Sequence, residues 1–196
     1  MKRVLIIHGW TNRRQPHHWQ RNLAVALRRN GHAVAYPQLP NTDNPVLDEW
    51  LEVITNELSM LDEVSDDELV VFGHSLGCLT WLNAVKQGIV TSRVSRVLLV
   101  APADPALCDD AATFQIDLDD SRLKTAVHAT SPSTLLVGSD GDPWIPRGVE
   151  QTFAKPLELP FVIIPGASHF AGEEGWGPWQ GVANWATDPT ADLSLR

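Results

Sequence analysis

Leu69-Val70-Val71-Phe72-Gly73-His74-Ser75-Leu76-Gly77-Cys78 is the stretch that organises the chain. Four consecutive apolar residues read as a buried strand, and the residues from Leu76 onward read as a helix. Between them lies G-x-S-x-G, the pattern of a nucleophile elbow, in the strand–turn–helix setting that the motif requires. Such a turn leaves no room for side chains beside the serine, which accounts for Gly73 and Gly77. A serine hydroxyl is a poor nucleophile until a base takes its proton, so presenting Ser75 on a sharp turn implies a histidine nearby. The same turn aims the backbone N–H of Leu76 at a reacting carbonyl, as one half of an oxyanion hole.

Outward from this point, short β-branched runs alternate with helix-length segments. The predicted strands are Arg3–Ile7, His32–Tyr36, Glu68–Phe72, Arg96–Val100, Thr134–Val137 and Phe161–Ile164. Most are continuously apolar, as suits parallel strands covered on both faces. Predicted helices are His18–Arg29, stopped by Asn30-Gly31, then Pro45–Leu61, Leu76–Gln87 before Gly88, and Trp176–Ala186. In the second, Val46, Leu47, Trp50, Leu51, Ile54, Leu58 and Leu61 recur at steps of three and four, one apolar face. Strand and helix in alternation predict an α/β sheet with right-handed crossovers. With ~100–200 residues per domain, 196 residues predict a single domain spanning 1–196. Segment 102–133, polar and acidic apart from alternating Phe114, Ile116 and Leu118, reads as loop plus a short helix.

Open α/β sheets place their sites at the carboxyl ends of strands, and this selects the partners of Ser75. Two histidines follow it, His128 and His169. His169 lies in the loop leaving the last predicted strand, whereas His128 precedes a strand, at the wrong end of the sheet. The loop after Thr134–Val137 reads Gly138-Ser139-Asp140-Gly141-Asp142-Pro143-Trp144 and offers two carboxylates. Either could orient the imidazole. Pro143 restricts the residue before it to extended backbone and favours Asp142, while Asp140-Gly141 resembles the turn itself; the choice stays open. Asp104, after another strand, fits a loop or helix cap. The first strand ends in His8-Gly9-Trp10, where Gly9 permits close backbone approach and the Trp10 N–H could be the second oxyanion donor. His8 fits a role in shaping that loop.

Composition narrows the function classes. The chain carries 15 Lys+Arg against 24 Asp+Glu, a formal charge of −9. That balance argues against nucleic acid and against an anionic membrane surface, both of which call for cations. Hydrophobic residues at 43% and charged residues at 20% are those of a folded globular domain. Two cysteines, Cys78 and Cys108, are too few for a disulfide framework and lack metal-ligand spacing. His17-His18 likewise has no accompanying ligands, so neither a metal nor another cofactor is expected. No run reaches the ~18 apolar residues of a membrane helix. Val4–Ile7 is too short for a secretory leader, and the expected location is the cytoplasm. The five acids within 62–68 read as a solvated loop. Of eight tryptophans, Trp10 and Trp144 fall in loops beside the predicted site. With Phe170 they are the candidate pocket residues, and Trp50, Trp81, Trp176, Trp179 and Trp185 are candidate packing residues.

HGW at the first strand, GHSLG at the elbow, SDGDPWIP and ASHF together resemble the α/β-hydrolase superfamily. Within it, the chain is similar to the small single-domain serine hydrolases of the YdeN and retinoblastoma-binding serine hydrolase type, across roughly Lys2 to Trp185. The resemblance implies a three-layer αβα sandwich with a mostly parallel six-stranded sheet in the order 2-1-3-4-5-6. Because the sequence opens on the strand that carries His8-Gly9, the superfamily's leading antiparallel hairpin is expected to be absent, and the short stretch between Ser75 and Asp142 leads to the expectation of no large cap domain. Carried onto this sequence, the resemblance makes Ser75 the nucleophile, Asp142 the acid and His169 the base, with Leu76 and Trp10 as backbone oxyanion donors. The expected activity is hydrolysis of a small acyl substrate, an ester, thioester or amide. An aminopeptidase, an acyltransferase or a non-catalytic binding protein would share these features.

Overall fold

A computed structural model describes residues 1–65 and 67–196. The six strands are β1 (Arg3–Ile7), β2 (Ala33–Ala35), β3 (Leu69–His74), β4 (Val94–Val100), β5 (Thr134–Gly138) and β6 (Phe161–Ile163). They form one sheet in the order β2-β1-β3-β4-β5-β6, and every pairing is parallel. Strand order reverses between β1 and β3, which places a crevice beyond their carboxyl ends.

Alternation along the central strands supplies two cores. Leu5, Ile7, Val71, Val97, Leu99 and Leu136 face one side of the sheet. Val4, Ile6, Val70, Phe72, Leu98, Val100 and Val137 face the other. The first side is covered by α2 (Leu47–Val64), α3 (Leu76–Lys86), α4 (Ser121–Thr130) and α5 (a π turn, Glu150–Ala154, running into Lys155–Leu157). The second is covered by α1 (Trp19–Arg29) and α6 (Gln180–Trp185). Trp50 on α2 is completely buried, packs edge-on against Phe114 at 5.0 Å, and donates its indole N–H to Pro40 O at 2.7 Å. Burying a ring of that size contributes about 2–3 kcal/mol, provided its N–H is satisfied.

Several elements differ from expectation, each for a local reason. Segment 102–133 contains the expected short helix, α4, whose N-cap Asp120 accepts from Arg122 N–H, but its loop also holds two 3₁₀ turns, Pro105–Leu107 and Asp109–Phe114. Helix α5 is absent from the sequence reading because Pro156 sits within it. Just before the proline, the Lys155 N–H reaches back five residues to Glu150 O. The last helix covers only Gln180–Trp185, since Gly177-Pro178 keeps the chain irregular. Trp176 and Trp179 precede it and donate their indole N–H groups to Ala167 O and Leu193 O. The acidic stretch 62–68 is not simply a solvated loop. Asp62 lies in the last turn of α2 and pairs with Arg3, Glu68 pairs with Lys2, and Asp66 lies outside the described residues.

Candidate active site

Ser75 sits between β3 and α3 at φ 53° and ψ −124°, a region L-residues seldom occupy. The surrounding glycines are required by contact distances. A Cβ on Gly77 would lie 2.5 Å from Ile7 O and 2.7 Å from His8 O, and one on Gly9 would lie 2.7 Å from the Ser75 Cβ. At Gly73 it would press on Cys78 Cα and a Leu99 methyl at 3.2 Å. The elbow is thus wedged against the carboxyl end of β1, and the Ser75 N–H is tied to Val100 O of β4 at 3.1 Å.

His169 reaches this serine from the loop after β6, with Nε2 2.8 Å from the Ser75 Oγ. Its Nδ1 lies 2.8 Å from Asp142 Oδ2 and 3.0 Å from Oδ1. A carboxylate only accepts, so Nδ1 carries the ring proton and Nε2 is left to accept from the serine hydroxyl. The Asp142 side chain has 0% exposure, and its Oδ1 also accepts from Trp144 N–H at 2.9 Å. Asp140 is elsewhere: exposed, it accepts from Gly166 N–H at 2.7 Å and ties the β5 loop to the β6 loop. Asp104 caps the first 3₁₀ turn through Ala106 N–H at 3.0 Å. His128 bonds Leu157 O.

Two groups that sequence reasoning missed hold the backbone of His169. The Nε2–H of His74, the residue before Ser75, donates to His169 O at 2.8 Å. Glu174 accepts from His169 N–H at 3.0 Å, Ala171 N–H at 2.9 Å and the Ser168 hydroxyl at 2.7 Å. A glutamate five residues beyond a candidate base carries no motif, so nothing in the sequence marked it. His8 is a loop-shaping group: its Nδ1–H donates to Gly9 O at 2.9 Å and its Nε2 accepts from Leu39 N–H at 3.0 Å. Burial pulls its pKa down to about 4, the Gly9 bond opposing this.

Above Ser75 and His169 opens a cleft of about 540 Å³. Trp10 and Trp144 line it, as do Ala103, Leu107 and Cys108 from segment 102–133. Phe170 does not. It has 0% exposure and stacks on Trp179 at 5.2 Å and against Trp176 at 4.7 Å, so its proposed place in the pocket is corrected to one in the core. Its backbone φ is 56°. Trp10 and Leu76 both border the cleft, and their N–H groups have no acceptor among the described residues.

Comparison with known proteins bears on the family and the fold. Over 179 residues, 89% of each chain, the sequence is 24% identical to YdeN of Bacillus subtilis (strain 168). The solved B. subtilis YdeN structure superimposes with a TM-score of 0.76 at 21% identity, covering 95% of this chain and 97% of that one. A YdeN-like protein from Pectobacterium atrosepticum gives 0.71 at 26% identity, covering 94% and 88%. Est1E from Butyrivibrio proteoclasticus shares the fold at 0.62 and 20% identity, covering 87% and 80%. The family profile described as "Serine hydrolase" matches residues 4–186. The chain therefore belongs to the serine hydrolase family, and it is a hydrolase of the α/β-hydrolase fold.

Proposed function

We propose that this hydrolase cleaves a small carboxylic ester through an acyl-enzyme on Ser75. The observation that carries the reading is the continuous relay Ser75 Oγ to His169 Nε2 at 2.8 Å and His169 Nδ1 to Asp142 at 2.8 Å, at the floor of an open cleft. As the Ser75 Oγ attacks the carbonyl carbon, its proton passes to His169 Nε2. The new positive charge is stabilised by Asp142, which stays ionised and holds the ring tautomer. The carbonyl π electrons move onto oxygen, and the N–H groups of Leu76 and Trp10 receive that charge. Collapse breaks the bond to the leaving alcohol, which takes the proton from His169. Water, deprotonated by the same nitrogen, then releases the acid and restores Ser75. A thioester or amide would follow the same course with a different leaving group. No step calls for a cofactor, and the partner is a small acyl molecule.

Labelling with a fluorophosphonate probe, followed by intact mass measurement, tests this reading. Wild-type protein should gain one adduct on Ser75, and Ser75→Ala should gain none and lose ester turnover. Folded wild-type protein that takes no label would sink the acyl-enzyme.

A further inference from the structure

The loop between β1 and α1 presents two buried polar side chains to the cleft that the proposed chemistry does not use. His18 and Asn12 are only 5% and 6% exposed, and both line the cleft beside Ser75. His18 is the N-cap of α1, and its Nδ1 accepts from Gln20 N–H at 3.3 Å. A neutral imidazole that accepts at Nδ1 carries its proton on Nε2. The ring is held between Trp19, stacked at 5.8 Å, and His74, whose ring centre is 5.2 Å away. Asn12 is oriented in the same manner. Its Oδ1 accepts from Arg14 N–H at 2.7 Å, which leaves the amide NH₂ pointing elsewhere. Neither His18 Nε2 nor Asn12 Nδ2 has a hydrogen-bond partner among the described residues. Unlike the Nδ1 of His74, which is sealed off without a partner, these two donors keep some solvent exposure, on residues that line the cleft.

We propose that His18 Nε2–H and Asn12 Nδ2–H form an oxygen-binding subsite, so that the preferred substrate is an acyl compound bearing a second, uncharged oxygen apart from the scissile group. The inference rests on the ester-hydrolase reading and names the substrate class for that site. Both donors have their acceptor ends committed to backbone N–H groups, so they cannot turn to satisfy each other. A substrate that fills this space with methylene groups displaces water and strands them, and one with an ether, carbonyl or hydroxyl oxygen does not. Charge sets the second condition. Asp43, Glu173 and Glu174 line the cleft and, among the described residues, neither Lys nor Arg does, while Arg13 is already paired with Asp43. An anionic oxygen is therefore opposed where a neutral one is accepted. Burial, with neighbouring histidines assisting, draws the His18 pKa down to about 4, so the donor stays neutral above that pH.

Matched esters that exchange one methylene for oxygen provide the test. On the acyl side the pair is 4-nitrophenyl pentanoate and 4-nitrophenyl 3-methoxypropanoate; on the alcohol side it is butyl acetate and 2-methoxyethyl acetate. Each kcat/KM is divided by the hydroxide-catalysed rate of the same ester. In one pair the oxygen-bearing member should be favoured by about tenfold, mostly through KM. That ratio should fall towards one in Asn12→Ala and in His18→Asn, where the new side chain still caps α1 but no longer extends into the cleft. The mono-4-nitrophenyl ester of succinate should be the poorest substrate. Equal ratios in wild type, ratios kept in both variants, or a preference for the succinate ester would each overturn the subsite. Saturation-transfer NMR of the same pairs on Ser75→Ala reads binding without turnover. Failure of probe labelling with a retained oxygen preference in binding would overturn the acyl-enzyme and leave the subsite standing; labelling with no preference would do the reverse.

Discussion

A backbone at φ 53° and ψ −124° costs on the order of 1–3 kcal/mol for a residue with a Cβ, and Ser75 does not bear such strain alone. Thr11, Ala101, Ser168 and Phe170 also have positive φ, in loops that follow β1, β4 and β6. The loops around Ser75 thus share a backbone that local preference would not choose and surrounding packing imposes. At single positions this makes sharp predictions. Asp142→Asn should lower kcat by about 10³–10⁴, because an amide can donate to Nδ1 and favour the wrong tautomer. Asp140→Asn, which affects bonds from Gly166 N–H and the Ser139 hydroxyl and none to His169, should change it less than about tenfold. Steady-state kinetics on the pair separates the two carboxylates. Gly9→Ala should nearly abolish probe labelling while the fold persists, because the added methyl meets the Ser75 Cβ at 2.7 Å and the Oγ at 3.2 Å.

Elements carry these residues into register. Helix α3 is buried along almost its whole length, since it lies against the sheet with α2 and α4 beside it. The loop that delivers His169 has no such support from packing on every side. It is fixed by His74 at the His169 carbonyl and by Glu174 at its N–H. Glu174→Ala should therefore lower kcat by about 10–100-fold. Hydrogen exchange at the amides of His169 and Ala171 should quicken in the same variant, a change that a direct chemical role would not produce. Wild-type exchange in that loop would show that other contacts suffice. Arg96 fixes the end of α6 in a similar way: its guanidinium donates to Trp185 O at 3.0 Å and Ala186 O at 3.1 Å and lies over the Trp185 ring.

Over the whole molecule, the buried histidines make stability depend on pH. Burial, the largest cause in each case, holds His8 and His18 at about 4 and His74 well below the usual 6.5. For His8 and His18 the unfolded chain takes up its protons near pH 6.5 and the folded chain resists them to about pH 4, and His74 is shifted in the same direction. Stability is therefore complete above pH 6.5 and falls as the pH drops through that window. Each histidine contributes about 1.4 kcal/mol per pH unit within it. Urea melts between pH 7 and 4.5 should show the decline, and His18→Asn should flatten it; a level profile would refute the assignment. At the far edge of the sheet, Phe161, Val162 and Ile163 are exposed on β6. Pro160 and Pro165 bracket them, and lacking N–H groups they blunt pairing with another strand. Among the described residues no helix is long and apolar enough to cross a membrane.

The sequence by itself determined the elements whose signals are local. Continuous apolar runs marked the parallel strands, and glycines two places either side of Ser75 marked the elbow, because both patterns are written within a few consecutive residues, even though the contacts that require Gly77 come from the end of β1. The order of chemistry-bearing residues at strand ends also brought His169 and Asp142 forward. Only the tertiary structure decided what depends on distant contacts. It put Asp142 rather than Asp140 against the imidazole, through the path of a loop that two separated backbone bonds define. It moved Phe170 into the core, where Trp176 and Trp179 supply a stacking surface that local sequence does not reveal. Segment 102–133 acquired its form by packing Phe114 on Trp50 and giving Leu107 and Cys108 to the cleft. Its own apolar period was too weak to specify a helix alone. The donors of His18 and Asn12 became visible only once their other ends were seen bonded to backbone, since residue identity does not say which hydrogen-bonding capacity is already spent.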